Sequence, residues 1–192
     1  MSFVANTAFE ARITNNDRDN LANISGLFQS GGANADCSAG ILCIRGEQVP
    51  CEGYADVKNE NTWYMNAATA AVTKQDVVYA CNTYDNQLIT APNGNQYFVG
   101  TETLGLGAPA GRITNFTRID FDGQSHYRFG VGNFNADVGS NGYAVFGADG
   151  LLTPQSAKPA SGLFFKVVGS GTFTAGAWAG SDYLDVIAQI PA

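Results

Sequence analysis

Along most of the chain the apolar residues come in short bursts or in alternation with polar ones, the period of β-strands, and turn residues separate the bursts. Ile41-Leu42-Cys43-Ile44-Arg45 stops at Gly46, a second run covers 49–57, and Thr62-Trp63-Tyr64-Met65 makes a third. Residues 67–71 are alanine-rich but too short for a helix and read as loop or edge strand. Val77-Val78-Tyr79-Ala80-Cys81 is apolar at every position, which predicts a strand covered on both faces. Asn93-Gly94 between Leu88-Ile89 and Tyr97-Phe98-Val99 is the strongest hairpin signal. Later strands are predicted at 143–146, between the turn signals Asn141-Gly142 and Asp149-Gly150, and at 163–168 and 183–190. In the last of these Leu184, Val186, Ala188 and Ile190 share one face. Residues 151–160 read as a connecting loop, extended near its prolines, and 169–180 as a hairpin whose Phe173 and Trp178 cover the end of the core.

The stretch 118–131 carries a register argument. Ile119, Phe121, Tyr127, Phe129 and Val131 occupy odd positions, between Arg118, Asp120, Arg128 and Gly130. A two-residue turn at Asp122-Gly123 would set odd positions opposite even ones and place Ile119 beside His126, mixing the faces. A loop over 122–126 pairs Phe121 with Tyr127 and Ile119 with Phe129, so the alternation predicts a hairpin with an odd-length loop.

The first 36 residues differ. They are rich in asparagine, and their apolar residues are spaced out. Leu21, Ile24, Leu27 and Phe28 have helical spacing over 17–29, with Asn16 or Asp17 as N-cap and Gly31-Gly32 as a stop. Residues 3–14 read as an extended arm, which either fills a groove on its own domain or lies on a neighbouring subunit. The expected fold is therefore mainly β: an antiparallel sandwich or barrel of roughly ten strands in a single domain over 37–192. An extended N-terminal arm over 1–36, with at most one short helix, precedes it.

Composition narrows the function classes. The net charge of -7 and the single, scattered Lys and Arg residues disfavour nucleic acid and anionic membrane as partners. No apolar run has the length of a bilayer-spanning helix. The N-terminus shows no secretory signal, so synthesis in a cytosol with reduced thiols is expected.

Candidate chemistry is sparse. His126 is the one histidine, Ser125 points to the opposite side of an extended segment, and there is no Gly-x-Ser-x-Gly elbow. Cys37, Cys43, Cys51 and Cys81 are separated by five, seven and twenty-nine residues, without the close pair of a zinc knuckle. Asp120, Asp122, Asp137, Asp149, Asp182 and Asp185 are carboxylates by type, several of them in turn positions. Residues 100–111 lack the Lys-Ser or Lys-Thr ending of a phosphate loop. No catalytic, cofactor-binding or metal-ligating residue is assigned. Trp63, Tyr64, Tyr84, Tyr97, Tyr143, Trp178 and Tyr183 are the residues a sugar-stacking platform would use, and a carbohydrate-binding β-sandwich module is the alternative reading.

Arg-Asp-Asn-Leu-Ala-Asn at 18–23, Gly-Leu-Phe-Gln-Ser-Gly-Gly at 26–32, Leu-Gly-Leu-Gly-Ala-Pro-Ala-Gly at 104–111 and Tyr-Arg-Phe-Gly-Val-Gly-Asn-Phe at 127–134 are short phrases in a glycine-rich β sequence. In these the chain resembles the auxiliary head proteins of tailed bacteriophages, the decoration or cement proteins. The resemblance implies a structural virion protein, made in the host cytoplasm and bound to the capsid surface. Its partners would be the major capsid protein and further copies of itself. Phe3, Phe9, Ile13, Leu21, Leu27 and Phe28 are the candidate contacts with those neighbours.

Overall fold

The computed structural model describes residues 4–12, 23–51, 53–82, 87–90, 96–99, 107–174 and 179–191. In chain order the strands begin with β1 (Phe9–Arg12), β2 (Asn23–Ser30), β3 (Ala33–Asn34), β4 (Leu42–Cys51), β5 (Tyr54–Ala67) and β6 (Val78–Cys81). Then come β7 (Gln87–Thr90), β8 (Gln96–Val99), β9 (Thr114–Arg118) and β10 (His126–Gly130), which runs into a 3₁₀ turn at Val131–Asn133. The remainder are β11 (Tyr143–Phe146), β12 (Leu152–Gln155), β13 (Phe164–Thr172) and β14 (Asp182–Gln189).

The mainly β, sandwich-like architecture expected from the alternation is present, as two six-stranded sheets and a separate hairpin of β7 and β8. The first sheet has the order β1-β10-β14-β13-β11-β12 and is antiparallel throughout. The second has the order β3-β2-β5-β4-β6-β9 and closes on itself, because β2 bonds both β5 and β9. Its β2–β5 pair is parallel, the one departure from the antiparallel arrangement among the described strands.

Two cores result. Between the sheets lie Leu42, Val78 and Ala80 from the second sheet and Ile119 just beyond β9, with Phe9, Tyr127, Phe129, Phe165 and Val186 from the first. Inside the closed sheet lie Phe28, Cys37, Cys43, Met65, Tyr79, Cys81 and Phe116. Successive residues of a strand point to opposite faces, so β4 and β6 supply both cores at once. That is why 78–81 is apolar at every position, as expected, whereas Val77 lies outside the strand and is 43% exposed. The alternation of β14 likewise holds through Ala188, with Ile190 beyond its end and 46% exposed.

Several local expectations are corrected. The helix over 17–29 gives way, over its described part, to strand β2. Ladder bonds on both edges and burial of Phe28 outweigh a helical spacing of four residues. Only glycine fits at position 26, because a side chain there would collide with Met65 and Phe116. The runs 41–45, 49–57 and 62–65 are pieces of two long strands, β4 and β5. Residues 152–155, expected in a loop, form β12, where Pro154 is tolerated because β12 is an edge strand. The β7–β8 hairpin forms with Thr90 opposite Gln96, and its Asn93-Gly94 turn lies outside the described residues.

The hairpin expected at 119–131 does not exist. β9 belongs to the second sheet and β10 to the first, so 119–125 is a corner between sheets. Four of the five odd-position residues do share a side: Ile119, Tyr127 and Phe129 are in the inter-sheet core and Phe121 packs against it, whereas Val131, in the 3₁₀ turn, is exposed. Burial alternation is the same for a hairpin and for a strand that changes sheets. The Tyr127 hydroxyl fixes the corner by accepting the Asp120 N–H at 2.8 Å.

Residues 4–12 and 23–36, expected within an arm, are built into the two sheets. β1 pairs with β10, Phe9 opposite Phe129, and the first described residues lie on glycine backbone. A side chain at Gly130 or Gly132 would come within 2.2 Å of the Asn6 carbonyl oxygen or 2.0 Å of that of Ala5. Gly132 N–H donates to Asn6 O at 2.9 Å and Gly130 N–H to Ala8 O at 3.1 Å.

Candidate functional site

Of the residues expected to contact neighbours, Phe9, Leu27 and Phe28 are 2%, 9% and 8% exposed. They are packed inside their own chain, Phe9 against Tyr127 and Phe129 and Phe28 in the closed sheet. Phe3, Ile13 and Leu21 lie outside the described residues.

Of the residues weighed for chemistry, Cys37, Cys43 and Cys81 come together inside the closed sheet, while His126 and Ser125 stand apart from them. His126 is half-buried in β10, between Arg12 and Ile187 in register. The neighbouring Ser125 hydroxyl instead donates to Asp122 Oδ2 at 3.0 Å, and Ser125 N–H to Asp122 Oδ1 at 2.7 Å. Cys37, Cys43 and Cys81 are buried free thiols, and burial pushes the Cys37 and Cys43 thiols up from their ordinary range. Cys51 is half-buried at the end of β4. Among the described residues no group of three or more His, Cys, Asp or Glu side chains is placed to hold a metal ion.

Among the described aromatic residues, Trp63 lies in one sheet and Tyr143 and Tyr183 in the other, and each has its own packing partner. Trp63 packs on the core of the closed sheet beneath Arg45, whose guanidinium carbon is 4.1 Å from the ring. Tyr143 packs edge-on against Phe164. Tyr183 is covered by the Arg128 guanidinium at 3.5 Å and contacts Phe173 at 5.0 Å. Tyr84, Trp178 and the side chain of Tyr97 are outside the described set.

The six aspartates separate by role. Asp185 holds Arg128 through two bonds of 2.8 and 2.9 Å, in a row that continues to Glu10 at 3.6 Å. Asp120 pairs with Arg118 at 3.1 Å, Asp122 caps its loop, and Asp149 occupies a turn at φ 55°. Asp137 and Asp182, distant in sequence, line one groove of about 730 Å³ at an end of the first sheet. Its one wall is the chain from Val131 to Gly139 and the other is formed by 170–172 of β13 and 182–184 of β14. Buried Phe134, Val138 and Leu184 line it, with exposed Asn135 and Ser170. Asp182 Oδ1 accepts from the Thr172 hydroxyl at 2.8 Å, and Asp137 Oδ1 from Gly139 N–H at 3.0 Å.

A second feature is a projection. β4 pairs with β6 only through 42–44 and β5 with β2 only through 62–66, so 46–51 and 54–61 have no ladder partner but each other among the described strands. Register shifts interrupt this ribbon, and Glu47, Asp56, Val57, Lys58 and Glu60 are exposed on it.

Sequence reasoning missed the groove because its walls are joined only by the pairing of β10 with β14, which no local pattern announces. It missed Asn133 because both of its partners, Ala8 and Ala39, are far away in sequence. That side chain is 1% exposed, accepts Ala8 N–H at 3.0 Å and donates to Ala39 O at 2.8 Å. Fold and site thus define a two-sheet β protein with a projecting ribbon and a mixed-polarity groove. No protein-family model, curated protein or solved structure matches the chain.

Proposed function

We propose that the chain is a structural virion protein that binds the outside of a phage capsid and stabilises its shell, with the major capsid protein as its partner. The observation that carries the reading is the ribbon of 46–51 and 54–61, which stands off both cores. A two-stranded ribbon is marginal alone in water and gains from a surface laid against it. Its exposed side chains include Val57, 52% exposed, among charges of both signs, a mixture suited to a polar protein surface. The resemblance of its short phrases to the sequences of decoration proteins supports the same reading. Phe9, Leu27 and Phe28 are buried in their own chain, so the ribbon takes their place in this reading.

The test is co-sedimentation of the purified chain with empty heads of the phage that encodes it. Saturable binding is expected, and a variant with residues 47–60 replaced by a short Asn-Gly turn should stay in the supernatant while melting cooperatively. A full-length chain that does not sediment with heads would remove the reading. Equal binding by the ribbonless variant would remove the ribbon from it.

A further inference from the structure

We propose that the groove between 131–139 and the ends of β13 and β14 binds a short neutral oligosaccharide. Its volume, about 730 Å³, falls within the range of roughly 300–1,000 Å³ usual for small-ligand sites. Apolar side chains form its base: Val138 and Leu184 are buried, and Val131, 36% exposed, extends the apolar strip to the surface. Around that strip the side chains are hydroxyl, amide and carboxylate, from Ser170, Thr172, Asn135, Asp137 and Asp182.

Hydrogen-bonding capacity selects the ligand. Each carboxylate has one oxygen engaged, Asp182 Oδ1 by Thr172 and Asp137 Oδ1 by Gly139, and the second oxygen of each accepts nothing from the described residues. One hydrogen of the Asn135 amide nitrogen is taken by the Thr153 hydroxyl at 2.7 Å, and the Asn135 carbonyl oxygen accepts nothing from the described residues. The rim is therefore richer in acceptors than in donors. Sugar hydroxyls donate to such acceptors while the C–H face of a pyranose lies on the apolar strip. Anionic ligands are disfavoured by the two carboxylates, by the lack of any Lys or Arg in the lining and by the net charge of -7. The Tyr183 ring is not a stacking surface: the Arg128 guanidinium covers it, and the ring lies against Gly171, where an added side chain would be 2.5 Å from its hydroxyl. Contact with the aliphatic strip takes the place of stacking, so the affinity expected is weak.

The proposal is independent of capsid binding and is tested without capsids. The full chain, labelled with ¹⁵N, is titrated separately with maltotriose, cellotriose and triacetylchitotriose to about 20 mM, well past a millimolar Kd. At least one should shift the amides of 135–139, 170–172 and 182–184 saturably. Two variants, Asp182→Asn, which keeps the shape, and Ala136→Trp, which fills the opening from an exposed position, should each weaken that binding about tenfold or more. Absence of shifts with all three sugars overturns the proposal, as do shifts confined to other residues or binding unaffected by both variants. Shifts with N-acetyl-lysine methylamide alone would make the groove a site for a cationic side chain and overturn it equally.

Discussion

Asn133 is the residue on which the placement of the N-terminal strand can be decided. Its carboxamide joins three segments: the oxygen accepts Ala8 N–H at 3.0 Å, and the nitrogen donates to Ala39 O at 2.8 Å. All three residues are buried, with Ala8 at 2%, Ala39 at 0% and Asn133 at 1% exposure. Asn133→Leu keeps the approximate shape and removes both bonds, which leaves one buried N–H and one buried C=O without a partner. Each such orphan costs about 1–3 kcal/mol, so the variant should lose roughly 2–6 kcal/mol. In a chain of this length each kcal/mol moves Tm by about 2–4 °C, and a loss near the middle of that range lowers Tm by about 8–16 °C. Thermal and urea unfolding measure the loss, and hydrogen exchange at Ala8 shows whether the strand has loosened. A variant that melts within about 1 °C of the parent, with Ala8 still protected, would refute the reasoning.

Two further outcomes are expected. In the native protein a bulky thiol reagent should modify Cys51 and leave Cys37, Cys43 and Cys81 untouched until urea is added, because those three are buried out of its reach; modification of two thiols at similar rates in native buffer would contradict this. Burial pushes the Tyr127 phenol up to about 12 from an ordinary value of about 10, so its contribution is fully present below pH ~10 and is lost as pH rises towards ~12, with a slope of up to about 1.4 kcal/mol per pH unit. Tyr127→Phe should flatten that alkaline decline in urea-measured stability, and an identical decline in both proteins would show that Tyr127 is not its source.

Burial along single strands was mostly legible in the sequence, and so was the β7–β8 hairpin, but the order of strands in the two large sheets was not. The apolar run at 78–81 announced a strand with two covered faces, and the alternation of 184, 186 and 188 announced a core face, because each follows from the pleat of a single strand. The same parity at 119–129 was compatible with a hairpin or with a change of sheet, and local pattern carries no information on that choice. β2 was hidden for a different reason: Leu27 and Phe28 are adjacent, and Ser25-Gly26 interrupts the alternation, since Gly26 is demanded by the approach of Met65 and Phe116. The groove was legible only as residue types. Asp137 and Asp182 were among six candidate aspartates, and the pairing of β10 with β14 sets their walls side by side.

The two-sided strands also bear on where a partner can bind. Leu42, Val78 and Ala80 face the inter-sheet core while Cys43, Tyr79 and Cys81 face the interior of the closed sheet, so a charge introduced on either face of β4 or β6 would be buried without a partner. β1 belongs to the same unit through Phe9 in the core and the Glu10–Arg128–Asp185 row on the outer face. Lifting residues 4–12 onto a neighbour would expose Phe9 and leave the Ala8 N–H and Asn133 carboxamide to find new partners, a cost comparable to much of a typical domain's stability. Binding energy is better gained where neither core must open. The ribbon of 46–51 and 54–61 and the groove at the end of β13 and β14 both meet that condition. Substitutions in the ribbon should therefore leave the unfolding transition intact while weakening the proposed capsid binding, and those in the groove should do so for the proposed sugar binding, whereas substitutions at Phe9, Leu27 or Phe28 should lower stability itself.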